Sequence, residues 1–330
     1  MLGASPVPFD PLKHAVHGAE YWKTHKIGQA SDLSSKVASP PAELLDYLDK
    51  ENQLQGYAGH PSAPASDAAF LSDLKSAIAG LPASVRVFAA KRTVGIFVVR
   101  DLGSTAFTEV IYGPAHDPVG AFIVLDREAL NRKANEWLVW KENSPFRLDG
   151  VSRLEGRLEH DRDNDRKHAI EYILLHEIGH VLAAVGRLEP SWDEFEGAQM
   201  DSASFPFSRF SWLYAQGRYS TRFEEGFPAR KDVHFYGEPA RLLPAAQITG
   251  VYQQLGLTDF PTLYAATNPH DDFAESFANY VHVVLMKRPY QLLIMEGRKQ
   301  VGVFGACWAD RRCKRKKDFL DRMFAFTGAL

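Results

Sequence analysis

Apolar residues recur at helical spacing through Ala169, Ile170, Ile173, Leu174, Ile178, Val181 and Leu182, which predicts one long helix over about 166–185. Asp165 offers an N-cap for it and Gly186 a stop. Glu43 to Lys50 and Asp67 to Ala79 carry shorter amphipathic patterns, joined by a Gly/Pro/Ser-rich connection over 56–66. The texture changes at Val85. Val85-Arg86-Val87-Phe88, Gly95 to Val99 and Ala121 to Leu125 read as β-rich runs, with another at Phe107 to Tyr112. Asp101-Leu102-Gly103-Ser104 and Gly113-Pro114 separate them as turns. Helical patterns return near Pro269 to Met286, Tyr290 to Gln300 and Lys316 to Phe326, and no internal repeat is evident.

Residues 187–262 have weak periodicity and many rings, among them Trp192, Phe195, Phe207, Trp212, Phe227 and Tyr236. Such rings either line a substrate cleft or anchor a loop-rich segment in the core; for any single ring the core anchor is expected. The chain therefore divides, on pattern, into a helical and loop-rich region over 1–84 and a larger domain over 85–330 carrying an aromatic-rich insert at about 187–262. The fold class expected is α+β, a small twisted sheet packed on the long helix with a mostly helical C-terminal half.

Composition adds bounds rather than a function. At 330 residues, 45% apolar and 24% charged, the chain has the make-up of a globular protein with ample length for a core. A net charge of -3 gives no general attraction to nucleic acid, and no apolar run is expected to span a bilayer. Met1-Leu2-Gly3-Ala4-Ser5-Pro6 lacks the basic and apolar regions of a signal peptide, which leaves either an intracellular protein or a leader already removed. Cys307 and Cys313, the only two cysteines, exclude a cysteine-rich metal module. They leave open one small disulfide or two thiols, and with that the compartment.

The long helix contains His176-Glu177-Ile178-Gly179-His180. Residues four apart share a helix face, so the two imidazoles can hold one tetrahedral zinc, and Glu177 can reach a water on its open position. Zinc draws the pKa of that water towards neutrality, and Glu177 can take its proton during attack on a peptide carbonyl. Gly179 costs helix stability, about 1 kcal/mol relative to Ala, and suggests close approach by another backbone. A catalytic zinc takes a third protein ligand. Asn268-Pro269-His270-Asp271-Asp272-Phe273-Ala274-Glu275 supplies it from a capped helix whose Asp271 and Glu275 are four apart. One carboxylate can bind the metal while the other orients a ligating histidine.

HExxH followed by an acid-x-Phe-Ala-Glu helix resembles the gluzincin metallopeptidases. The closer resemblance is to the anthrax lethal factor catalytic domain, to Mlc titration factor A, and to bacterial zinc peptidases with an E-D-F-A-E segment. It implies a zincin-like fold, a Zn2+ cofactor, and a metal-binding acid at Asp271 with Glu275 behind the metal ligands; Glu275 stays open as the alternative third ligand. Tyr264 stands seven before Asp271, as a tyrosine does in the first two relatives, and would donate to the oxyanion of the tetrahedral intermediate. The family's glutamate is an aspartate here, whose shorter arm requires a closer helix. The resemblance spans about 85–285 loosely, and only the two helices carry residues over.

The expected function is zinc-dependent hydrolysis of internal peptide bonds, on a protein or peptide bound extended along the sheet edge. Alternatives are a narrow-specificity secreted effector or cell-wall peptide hydrolase, or a zincin-fold binding or regulatory module with little hydrolysis. Other features carry less. An EF-hand loop starting at Asp161 would put Arg166 and Tyr172 where Gly and Glu are needed. His270 and His282 can donate to an oxyanion but more often such residues pack or cap. Arg311-Arg312 with Lys314-Arg315-Lys316-Lys317 reads as a solvated helix start, or as a dock for an acidic partner.

Overall fold

The computed structural model describes residues 9–25, 32–65, 67–191, 201–215 and 217–327; the start at Met1 to Pro6, Trp192 and Phe195 lie outside them. The chain mixes helices and strands, an α+β protein, in two units: Met1–Ser72 with Arg86–Asn131, and Asp73–Val85 with Arg132–Leu330. The division does not follow the chain break read at residue 84. The segment before it shares a core with the strands after it.

The first unit runs from β1 (Val37–Ala38) and α1 (Ala42–Gln55) through α2 (Ala68–Gly80) and α3 (Ala83–Arg92), the last two crossing the unit boundary, to β2 (Thr93–Val99), β3 (Ala106–Tyr112) and β4 (Pro118–Asp126). Its sheet has the order β1-β2-β4-β3, parallel except for the antiparallel β3 at one edge. Every residue of β2 is buried, as a continuous apolar strand between parallel neighbours requires. Trp22, Leu44, Tyr47, Phe97 and Phe122 form one core with it. The run Val85 to Phe88 is not a strand. It lies in α3, where Val85 and Ala89, four apart, are buried and Val87 between them is exposed, so the helical period prevails over a short β-branched run.

The second unit contains α4 (Ala134–Asn143), β5 (Phe146–Arg147), β6 (Ser152–Arg157), α5 (Arg166–Gly186), β7 (Trp212–Ala215), β8 (Arg218–Thr221), β9 (Leu243–Pro244), α6 (Ile248–Leu255), α7 (Pro269–Tyr280), β10 (Gln291–Glu296), β11 (Lys299–Gly305) and α8 (Lys314–Thr327). β6, β10 and β11 form an antiparallel sheet. The helix expected at 290–300 is thus a hairpin: Leu292 and Ile294 are buried with a period of two, and Gly297 turns the chain at φ +60°. Within this unit α5 packs against α4 and α7. The four-stranded sheet expected beside it belongs to the first unit.

Among the described residues one helix, α5, is long and apolar enough to cross a bilayer by length and composition, but 72% of that window is buried inside the protein, as in a core helix. The helix includes Gly186 and ends one residue later than read, with Arg187 left-handed at φ +47°. Half of the described rings of the insert are core anchors: Phe205, Phe207, Trp212, Phe227, Tyr252 and Phe260 are buried, while the others are partly or wholly exposed. Cys307 and Cys313 form a disulfide with Cα atoms 5.7 Å apart.

The basic run at the start of α8 is only partly solvated. Lys316 is wholly buried, 2.6 Å from Asp272 Oδ1 and 3.3 Å from Asp259 Oδ1, with its ammonium 4.6 Å from the Phe260 ring centroid. Trp212 Nε1 donates to the other Asp272 oxygen at 2.9 Å, and Ser211 Oγ donates to Asp259 at 2.7 Å. Removing one partner of such a cluster strands the others without water. Lys316→Met is therefore expected to lower the unfolding free energy by about 3–5 kcal/mol in urea denaturation. A loss below about 1 kcal/mol would show that the cluster is not a stabilising element.

Candidate metal centre

Two helices bring the predicted residues together, and each is held locally. Asp165 caps α5 by accepting from His168 N at 3.0 Å. Asn268 caps α7 by accepting from His270 N at 3.0 Å and Asp271 N at 2.9 Å, with Pro269 in the first turn. The helices meet where α5 has no side chain. A Cβ on Gly179 would lie 2.8 Å from Ala274 Cα and 3.2 Å from Ala274 O, closer than such atoms approach. Gly179 thus lets the α7 backbone come near enough for the short arm of Asp271.

His176, His180 and Asp271 form the resulting cluster, a group that could hold a metal ion. The two Nε2 atoms are 3.1 Å apart, and Asp271 Oδ1 is 3.6 Å from one and 3.7 Å from the other. Three atoms at those spacings lie on a circle of about 2.0 Å radius, so one ion can touch all three at the usual 2.0–2.2 Å of nitrogen and oxygen ligands. The second Asp271 oxygen is taken up by Asn268 Nδ2 at 2.6 Å and Thr267 Oγ1 at 3.3 Å, which turns Oδ1 towards the rings. His180 keeps 23% of its side chain exposed against 9% for His176, so the cluster opens on the His180 side.

Glu275 stands behind the cluster. Its Oε1 is 3.2 Å from His176 Nδ1, at an angle short of a well-formed hydrogen bond, and 2.7 Å from Lys141 Nζ. Its Oε2 accepts from Thr262 Oγ1 at 2.7 Å. Burial opposes its charge, but the Lys141 ammonium and His176 outweigh burial and hold its pKa down at about 2. Lys141 lies 3.6 Å from Glu142, a fully buried carboxyl that accepts from Tyr252 and Tyr290 and whose pKa burial pushes up. The two rings are polarised unequally. Burial works against charging either one, yet Asp271 and Glu275 bring His176 up to about 10, while burial and the His176 charge hold His180 down at about 3. The two adjacent imidazoles thus hold one proton between them, on His176.

Glu177 is 5% exposed, and its charge is felt by both His176 and Tyr264. The Tyr264 ring lies 5.8 Å from that of His176 and 4.8 Å from that of Phe235, with Lys141 Nζ 4.6 Å from its centroid. Burial, then the Asp271 charge, pushes the Tyr264 hydroxyl well above its ordinary pKa, so it stays a proton donor. The other two histidines are engaged elsewhere. His270 Nδ1 sits 3.1 Å from Glu189 Oε1. His282 leaves the Glu275 face where α7 continues as a π-helical turn over Val281–Leu285; it is wholly buried, with Nε2 2.8 Å from Leu158 O and 3.0 Å from Pro289 O.

Lys141 and Thr262 had not been identified from sequence. Lys141 is a single cation in Trp137-Leu138-Val139-Trp140-Lys141-Glu142, and its burial beside an acid has no periodic signature. Compared with known proteins, the chain matches no family model, no curated protein and no solved structure. The chain is an α+β protein with a two-helix His/His/Asp group able to hold a metal.

Two substitutions test this construction. Gly179→Val puts two methyl groups where α7 must lie, and is expected to lower metal affinity in chelator competition and stability by about 1–3 kcal/mol. Lys141→Met removes the charge that keeps Glu275 ionised. Metal affinity is expected to fall about 10–100-fold; unchanged affinity in a folded variant would assign Lys141 to packing alone.

Proposed function

We propose that this chain is a zinc-dependent metallopeptidase of zincin-like fold that hydrolyses internal peptide bonds. The observation that carries the reading is the triangle of His176 Nε2, His180 Nε2 and Asp271 Oδ1, sized for a single ion and open on one side. Two imidazoles and one carboxylate from the protein are the donor set of catalytic zinc sites. Zinc bound there would supply a Lewis acid for the peptide carbonyl and bring the pKa of water near neutrality.

The chain's own residues do the rest. Glu177, buried beside the cluster, accepts the proton of the attacking water and returns it to the leaving nitrogen. Tyr264, kept protonated, donates to the oxyanion that develops on the substrate. Glu275 fixes the orientation of His176 through Nδ1, and Lys141 with Thr262 fixes Glu275. The Asp271 carboxylate, turned by Asn268, takes the place of the longer glutamate of the resembling families, on a helix whose close approach Gly179 permits. The Cys307–Cys313 disulfide supports work in an oxidising compartment.

Glu177→Gln tests the mechanism. The variant is expected to keep its fold and its zinc content while kcat/KM on a peptide library falls by about 10²–10⁴. Cleavage at the wild-type rate by zinc-loaded Glu177→Gln would reject the assignment of the base.

A further inference from the structure

We propose that a pocket in the second unit, sharing no residue with the His176 cluster, binds a multiply charged small anion. The pocket is an open surface depression of about 420 Å³, lined by Ser202, Ala203, Phe210 and the exposed Arg209, Arg222 and Arg315. Its three guanidinium groups come from three separate stretches: the 3₁₀ turn Ser208–Phe210, the residue after β8, and the first turn of α8. Among the described residues no carboxylate lines it. Bringing like charges to one concavity is unfavourable, and a bound anion reverses the sign of that interaction.

The neighbouring cations contrast with these three. On α8, Lys314 pairs with Asp318 at 2.6 Å, Lys317 with Asp321 at 2.8 Å, and Lys316 with Asp272 at 2.6 Å. Among the described residues no ion pair involves Arg209, Arg222 or Arg315. The side-chain contacts of Arg222 and Arg209 are local: Arg222 Nε donates to Arg209 O at 3.1 Å, and the Arg209 guanidinium lies 5.7 Å from the Phe210 ring centroid. The floor is built into the core, because Phe210 packs between Phe207 at 5.9 Å and Phe319 at 6.1 Å. Planar guanidinium forks match phosphate and carboxylate oxygens two at a time. Three such forks at one depression suit a multiply charged anion such as a diphosphate or a tricarboxylate.

The test is calorimetric titration of the full chain at low salt with two probes, inorganic pyrophosphate and benzene-1,3,5-tricarboxylate. Saturable binding of at least one probe is expected, weakening as sodium chloride is added and falling tenfold or more in Arg209→Ala and in Arg315→Ala. The probe that binds distinguishes a phosphate from a carboxylate ligand. Each variant is checked for fold by circular dichroism and for unchanged zinc content, so that chelation at His176 and His180 is not read as pocket binding. Failure of both probes to bind, or equal binding by the arginine variants, overturns the proposal. A third variant replaces Asp193, Glu194 and Glu196, which lie outside the described residues, with their amides. Binding that emerges only there assigns the pocket to the chain's own acids, and overturns it equally.

Discussion

The contact of Gly179 with Ala274 is the constraint on which the site depends. A side chain of even one carbon at 179 would meet the α7 backbone at 2.8 Å, so the separation of α5 and α7 is set by the absence of an atom. That separation decides whether an aspartate can do what a longer acid does. With it, Asp271 Oδ1 comes within 3.6 and 3.7 Å of the two imidazole nitrogens. The helix stability that glycine forfeits, about 1 kcal/mol, is the cost of that approach.

Around this contact the second unit places charges where water does not reach. Glu275, Lys141 and Glu142 lie behind His176, and Asp272, three residues before Glu275 on α7, pairs with Lys316, which also lies close to Asp259. Asp271 and Asp272 are neighbours in sequence with opposite fates: one turns to the imidazoles, the other to a buried ammonium. Ion pairs from α7 to α4 and to α8 restrain the helix that carries Asp271. The rigid arrangement of His176 is thus a property of α4, α7 and α8 together rather than of the HExxH helix alone.

How much of this the sequence disclosed follows from the kind of signal each part leaves. The pentad, the two caps and the pairing of Asp271 with Glu275 are local spacings on single helices, and those were legible. Gly179 was legible as well, since a glycine inside a strongly periodic helix asks for a close neighbour. Lys141 and Lys316 were not, because their partners are 134 and 44 residues away and a buried lysine looks like a surface one in sequence. Short β-branched or apolar runs misled in both directions: Val85 to Phe88 folds as helix, and Gln291 to Glu296 as strand. In each case the buried positions, four apart or two apart, were the better guide.

Helix α5 combines two properties that rarely meet. It is the described helix whose length and apolar content would suit a lipid bilayer, and it bears the pentad on which the chemistry is proposed to rest. Folding must therefore cover a long apolar segment, and 72% of its most apolar window is buried in the protein. Until α4 and α7 close over it, a nascent or denatured molecule carries a sticky hydrocarbon surface some five turns long. Assembly of the metal-site scaffold and protection against aggregation are then the same event.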